Sequence, residues 1–209
     1  MGRKAKDPEI RRMELILAAE KLFKEKGFED TSVSDITDAV GVSHGTFFYY
    51  FESKNEILKA VIDYYVGKDR ELLEGILKND SLSGLKKVQA LLDITCLPKE
   101  ESPNRENKLV EYLHMEGNES LHTMYVRRSQ TVVIPLVTEM VEQGVREGAF
   151  DVKYPKETVE YIINMFDDIQ HEIRDIPRSN EEYYRKVRAL EVIITRVFGA
   201  KEGSLSIMS

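Results

Sequence analysis

The sequence predicts an all-α fold. Apolar residues recur at helical spacing from Ile10 to Val197, and capping residues, glycine or proline punctuate the gaps between them. No segment of any length alternates with the two-residue period of a strand.

The N-terminal stretch is the most fully specified. Asp7-Pro8 is an N-cap followed by proline at the first helical position. The helix it opens carries Ile10, Met13, Ile16, Leu17, Ala19, Leu22 and Phe23 at core spacing and ends at Gly27, after which Phe28 packs back. Ser32, with Asp35 three residues on, caps a second helix striped by Val33, Ile36 and Val40. Gly41 then stands where a helix end takes a left-handed backbone. Val42 re-enters the core, and Ser43 caps a third helix through His44, Gly45, Thr46, Phe47, Phe48, Tyr49, Tyr50 and Phe51. Two short helices joined by a tight glycine turn make the helix-turn-helix unit, whose second helix enters the DNA major groove. Thr37 departs from the pattern, since a smaller alanine suits the close approach of the two helices.

Ser53-Lys54-Asn55-Glu56 is a capping box opening a helix from Lys54 to about Lys78, through Ile57, Leu58, Val61, Ile62, Tyr65, Leu72, Leu73, Ile76 and Leu77. Gly67 and Gly75 are its weak points, and Asn79-Asp80-Ser81 its end. Further helices are expected over Leu85–Leu97, stopped by Pro98, and over Asn104–Glu116, closed by Gly117-Asn118. The long pattern Glu119–Glu147 contains Pro135, which kinks or splits it, and Gly148 stops it. Lys156–Arg174 carries Val159, Ile162, Ile163, Phe166, Ile169 and Ile173. Asn180–Phe198 carries Tyr184, Val187, Leu190, Ile194 and Val197, and the tail from Gly199 is expected to fray.

Composition narrows the function. The 209 residues, 42% hydrophobic and 32% charged, suit a globular protein with a real core. No apolar run is long enough to span a bilayer or serve as a secretory signal, which places the protein in the cytoplasm. The single cysteine, Cys96, leaves no internal disulfide and no multi-cysteine metal site. A net charge of −7 requires any nucleic-acid footprint to be local. The first dozen residues hold Arg3, Lys4, Lys6, Arg11 and Arg12 against Asp7 and Glu9: either an arm reaching phosphates or the minor groove, or a solubilising terminus.

Nothing in the body is arranged for catalysis. It has no phosphate-cradling glycine loop and no nucleophile elbow. His114 and His122 are too far apart to share a metal, and His171 and Glu172 beside Asp167 and Asp168 read as a polar helix face. An enzyme, a cofactor and a metal are therefore not expected.

The run ILAAEKLFKEKGFEDTSVSDITDAVGVSHGTFFYYFESKNEIL closely resembles the TetR family of bacterial transcriptional regulators, the match covering about Met13 to Val61. PLVTEMVEQGVREGAFDVKYPKETVEYI is similar to that family's C-terminal domain. The resemblance implies a helix-turn-helix DNA-binding domain over 1–53 and a helical effector-binding and dimerisation domain over 54–209, with 54–78 as connecting helix. It implies a homodimer on a palindromic operator, acting as a repressor released by a small molecule. A regulator controlled by protein–protein contact instead is the alternative.

Carried over by position, Ser43, Thr46, Tyr49, Tyr50 and Lys54 would touch phosphates, with Ser32 and the arm's Arg3 and Lys4 beside them. His44, Gly45 and Phe48 would approach bases; His44 stands where lysine is common and Phe48 where tyrosine is common. Phe48 lacks the hydroxyl that would bond a phosphate, but its ring suits a thymine methyl. Phe47 and Phe51 read as core, and Tyr49 and Tyr50 as surface contacts.

An effector cavity in such a body is mostly apolar with a few polar anchors. The candidates are Leu92, Cys96, Tyr112, Met115, Tyr125 and Phe166, with His114 or Gln170 as anchors, and each also reads as ordinary core. The last two helices would pair with their symmetry mates through Ile162, Phe166, Ile169, Leu190 and Ile194. The other reading is that these faces only cover the body's own core.

Overall fold

The structure is a computed structural model that describes residues 7–96, 119–173, 176–177 and 179–207, leaving out the side chains of Cys96, Asp167, Gln170 and His171. Among the described residues are eight helices and no strand: α1 (Pro8–Lys26), α2 (Val33–Val40), α3 (His44–Tyr50), α4 (Lys54–Leu77), α5 (Gly84–Cys96), α6 (Glu119–Arg146), α7 (Pro155–Ile173) and α8 (Glu181–Val197). They fall into two compact units, one built from 7–68 and 119–128, the other from 69–96 and 129–207. No described helix is long and apolar enough to cross a membrane. The expected helix Asn104–Glu116, with Tyr112, His114 and Met115, and the arm with Arg3 and Lys4 lie outside the described residues.

The caps of the first unit form as their residues dictate. Asp7 accepts from the Glu9 amide at 2.9 Å, and Gly27 ends α1 with φ 83°. At α2 the box is reciprocal: the Asp35 amide donates to Ser32 Oγ at 3.1 Å, and the Ser32 amide donates to Asp35 Oδ2 at 2.7 Å. Lys26 adds an ion pair to the same oxygen at 2.7 Å. That lysine first, then the Ser32 hydroxyl and amide, holds the Asp35 carboxyl well below the usual carboxylate range. At α4 only half the expected box forms. Ser53 Oγ accepts from the Glu56 amide at 3.2 Å, while the Glu56 carboxylate pairs with Lys59 at 3.1 Å.

Leu15, Ile16, Ala19 and Phe23 of α1 are buried with Ile36, Phe47, Phe51, Ile57, Val61 and Ile62. Ile10, Met13 and Leu17, expected in this core, are exposed. At about 100° per residue they lie across the helix from Leu15 and Ala19, so the packed stripe is the other one. Lys54 ties the start of α4 to the beginning of the α1–α2 turn. Its Nζ donates to the Phe28 carbonyl at 2.7 Å and the Glu29 carbonyl at 3.1 Å and stands 4.2 Å from the centre of the Phe28 ring.

In the second unit Leu73, Val88, Leu92, Val137, Met140, Val141, Val159, Leu190 and Ile194 share one core. Helices α5 and α6 touch backbone to backbone: a Cβ on Gly84 would meet Gly144 N at 2.2 Å, and one on Gly144 would meet the Phe150 ring at 2.2 Å. Beside this contact Lys87, though buried, is satisfied by the Leu77 carbonyl at 2.6 Å and Gln143 Oε1 at 2.8 Å. It thereby closes the C-terminus of α4, where a cation also suits the helix dipole. Leu72, by contrast, is exposed rather than packed.

One expectation is narrowed here and another fails. Of the kink or split expected at Pro135, the split does not occur: α6 runs unbroken through it, with the proline on an exposed position where one lost backbone bond is tolerable. The tail from Gly199 is not frayed through Ile207. Gln89 clamps Ser206, donating to its carbonyl at 2.6 Å and accepting from its amide at 2.9 Å. Glu191 accepts from the Ser206 hydroxyl at 3.2 Å and the Ile207 amide at 3.0 Å, and Leu205 is 1% exposed.

Leu205→Ala should therefore lower the unfolding free energy by about 2–5 kcal/mol in urea denaturation, whereas a frayed tail would leave it unchanged. For Asp35, a pKa lower in the folded than in the unfolded chain means its contribution is fully present above the unfolded value of about 3.9. It is lost as the pH falls below that toward the folded value. Lys26→Met removes the largest cause of the shift. The gap between wild-type and Lys26→Met urea midpoints should stay constant above about pH 5 and narrow below it.

Candidate nucleic-acid interface

The turn between α2 and α3 is set by backbone requirements. Gly41 is left-handed, with φ 71° and ψ 44°, and the Val42 amide donates back to the Thr37 carbonyl at 3.0 Å. The Thr37 side chain is accommodated: it is buried, and its hydroxyl donates to the Ser34 carbonyl at 3.0 Å inside its own helix. Ser43 caps α3, its Oγ accepting from the Thr46 amide at 3.2 Å and lying 3.0 Å from Thr46 Oγ1.

Two rings orient α3. Phe47 is 0% and Phe51 3% exposed, and the Arg12 guanidinium lies 5.1 Å from the centre of the Phe51 ring. With those faces inward, a turn of about 100° per residue sends Phe48, Gly45, Tyr49, Thr46 and Tyr50 round the outward arc in that order. Tyr49 is 76% and Phe48 55% exposed, with His44 and Gly45 also exposed and Thr46 and Tyr50 half-buried. The Phe48 ring stands edge-on to Phe47 at 5.4 Å and 83°, and the Tyr49 ring edge-on to Tyr50 at 4.8 Å and 89°. Nothing inside the molecule calls for glycine at Gly45: a Cβ there would meet only Ser43 Oγ, at an unstrained 3.7 Å.

The structure thus brings His44, Gly45, Thr46, Phe48, Tyr49, Tyr50 and Ser43 onto one short exposed helix and its cap. Two of the sequence-predicted phosphate contacts are otherwise engaged. The Ser32 hydroxyl and amide both donate to Asp35, and two N–H groups of Lys54 are committed to Phe28 and Glu29 carbonyls. Sequence reasoning passed over the charge of the segment itself. From Gly27 to Ser53 there is no lysine or arginine, while Glu29, Asp30, Asp35, Asp38 and Glu52 are acidic. Cations stand only at its flanks, with Lys26 and Lys54 at its edges.

The body's described candidates fall in both units. Leu92 is in the core of the second unit, with Phe166 packed against it, while Tyr125 is half-buried in the first unit. Leu190 and Ile194, expected at a dimer interface, are 1% and 2% exposed within the single chain and already belong to its own core. Ile162, Phe166 and Ile169 are half-buried against that core. The apolar residues α7 and α8 leave exposed include Tyr161, Tyr184, Val192, Ile193 and Val197.

Residues 15–61 match the family profile "Bacterial regulatory proteins, tetR family". The HTH-type transcriptional repressor KstR2 of Rhodococcus jostii (strain RHA1) is 32% identical over 149 residues, 67% of this chain and 68% of that one. An uncharacterized HTH-type transcriptional regulator of Lactococcus lactis subsp. lactis is 41% identical over 80 residues, 38% of this chain and 40% of its own length. SmeT, the repressor of the Stenotrophomonas maltophilia multidrug efflux pump SmeDEF, shares the fold with a TM-score of 0.67 at 17% identity, over 95% of this chain and 94% of that one. The SmeT–triclosan complex does so with a TM-score of 0.67 at 15% identity, over 96% of each chain. With the glycine-elbowed helix pair, its exposed third helix and these similarities together, the chain belongs to the TetR family of bacterial transcriptional regulators, which are not enzymes.

Proposed function

We propose that this regulator is a cytoplasmic repressor that binds a palindromic operator as a homodimer through α3 and is released by a small-molecule effector. The observation that carries the DNA reading is Gly45. Glycine is less favourable than alanine in a helix, and no internal contact requires it at this exposed position, which leaves the backbone open to the close approach of a duplex. In this reading 1–53 is the DNA-binding domain and 54–209 the effector-binding and dimerisation domain. His44, Gly45 and Phe48 approach bases, while Ser43, Thr46, Tyr49 and Tyr50 hold phosphates, helped by the third N–H of Lys54 and by Arg3 and Lys4 of the arm. Ser32 joins them only by giving up Asp35.

The effector is proposed to contact the body's apolar core, where Leu92 and Phe166 lie. That SmeT, sharing the fold, has been solved as a triclosan complex supports an effector of small, largely apolar character. For release, the effector must bind the DNA-incompetent state more tightly than the competent one. Dimerisation is proposed through the outer face of α8. Ala189, Val192, Ile193 and Val197 recur there at i, i+3, i+4 and i+8, which is the spacing of a helix-pairing seam.

Selection from random duplexes should yield a palindrome bound with an affinity that falls as salt rises. Gly45→Ala should raise the melting temperature yet weaken that binding, two opposite signs that no loss of folding can produce. A tight ligand found by calorimetry that leaves operator affinity unchanged would defeat the effector role. Val192→Asp should leave a folded monomer in sedimentation velocity at micromolar concentration, and a persistent dimer would remove this face from the interface.

A further inference from the structure

We infer that Phe48 makes the operator's sequence depend on the 5-methyl group of thymine, an inference that rests on α3 as the DNA-reading helix. Phe48 is 55% exposed, and its ring stands edge-on, 5.4 Å away, to the fully buried ring of Phe47. A hydrocarbon ring on a reading helix offers no hydrogen bond to a base edge. The major groove presents one apolar feature to match it, the thymine methyl.

The neighbours favour the same partner. On the helical wheel Gly45 lies between Phe48 and Tyr49 and one turn earlier, and helical side chains lean toward the preceding turn. Gly45 leaves the strip of helix surface between these two residues without a side chain, and a Cβ there would meet only Ser43 Oγ, at 3.7 Å. A methyl group can approach the backbone there beside the Phe48 ring, and no lysine or arginine of α3 competes to read guanine.

The test uses the full-length protein and its selected operator, with each thymine replaced in turn by deoxyuridine, which deletes only the methyl. One symmetry-related pair of positions should lose affinity by about fourfold in one half-site and about fifteenfold in both, the effect of one methyl left in water. 5-Bromouracil at the same positions should restore it. Phe48→Ala, whose fold is checked by its melting curve, should bind more weakly and no longer distinguish thymine from uracil. An operator insensitive to every uracil substitution, or a penalty undiminished in Phe48→Ala, would overturn the inference while leaving DNA binding intact. Binding to no duplex at all would overturn both.

Discussion

A helix of seven residues has no stability of its own in water, because the cost of nucleating it is not recovered over so few hydrogen bonds. That α3 exists at all depends on Phe47 and Phe51, whose rings are fully withdrawn from solvent. Their burial does more than stabilise. It fixes the rotation of the helix about its own axis, and so decides that Phe48, Gly45, Tyr49 and Thr46 turn outward. The αL glycine at Gly41 and the Ser43 cap set where α3 begins, and the two rings set which way it faces.

The outward face is chemically unusual for the DNA-reading surface proposed for it. Hydroxyls, rings and one imidazole stand in a segment whose charges are all acidic, and the capping carboxylate Asp35 is neutralised locally by Lys26. In the proposed reading, attraction to the phosphate backbone comes from flanking cations, which position without reading, and discrimination is left to close contacts on α3. Lys54 and Ser32 have donors of the right kind, and each also directs donors to its own chain.

The second unit is governed by a different constraint, close backbone approach. The Gly144 backbone leaves no room for a Cβ on Gly84, and the Phe150 ring leaves none for one on Gly144; the polar groups beside this contact are satisfied by Lys87, Gln143 and Glu147. Glu147, accepting from Gln143 and then from the Gly84 amide, has its pKa lowered accordingly. None of this has a signature in hydrophobic periodicity. A glycine at the start of α5 and another inside α6 read along the chain only as weak helix formers.

The sequence by itself determined where the helices begin and end, because caps, glycine stops and the proline at the first helical position act through residues at most four apart. The limits of α1, α2, α3 and α4 and the inward direction of Phe47 and Phe51 were legible for that reason. Helical period, however, marks which residues are apolar and not what covers them. Only the tertiary structure decided that Leu190 and Ile194 serve the chain's own core while Val192 and Ile193 stay exposed, and that Ile10, Met13 and Leu17 miss the core of the first unit. The docking of Ser206 on Gln89 belongs to the same class: those residues are 117 apart in sequence, and nothing local to either announces the other.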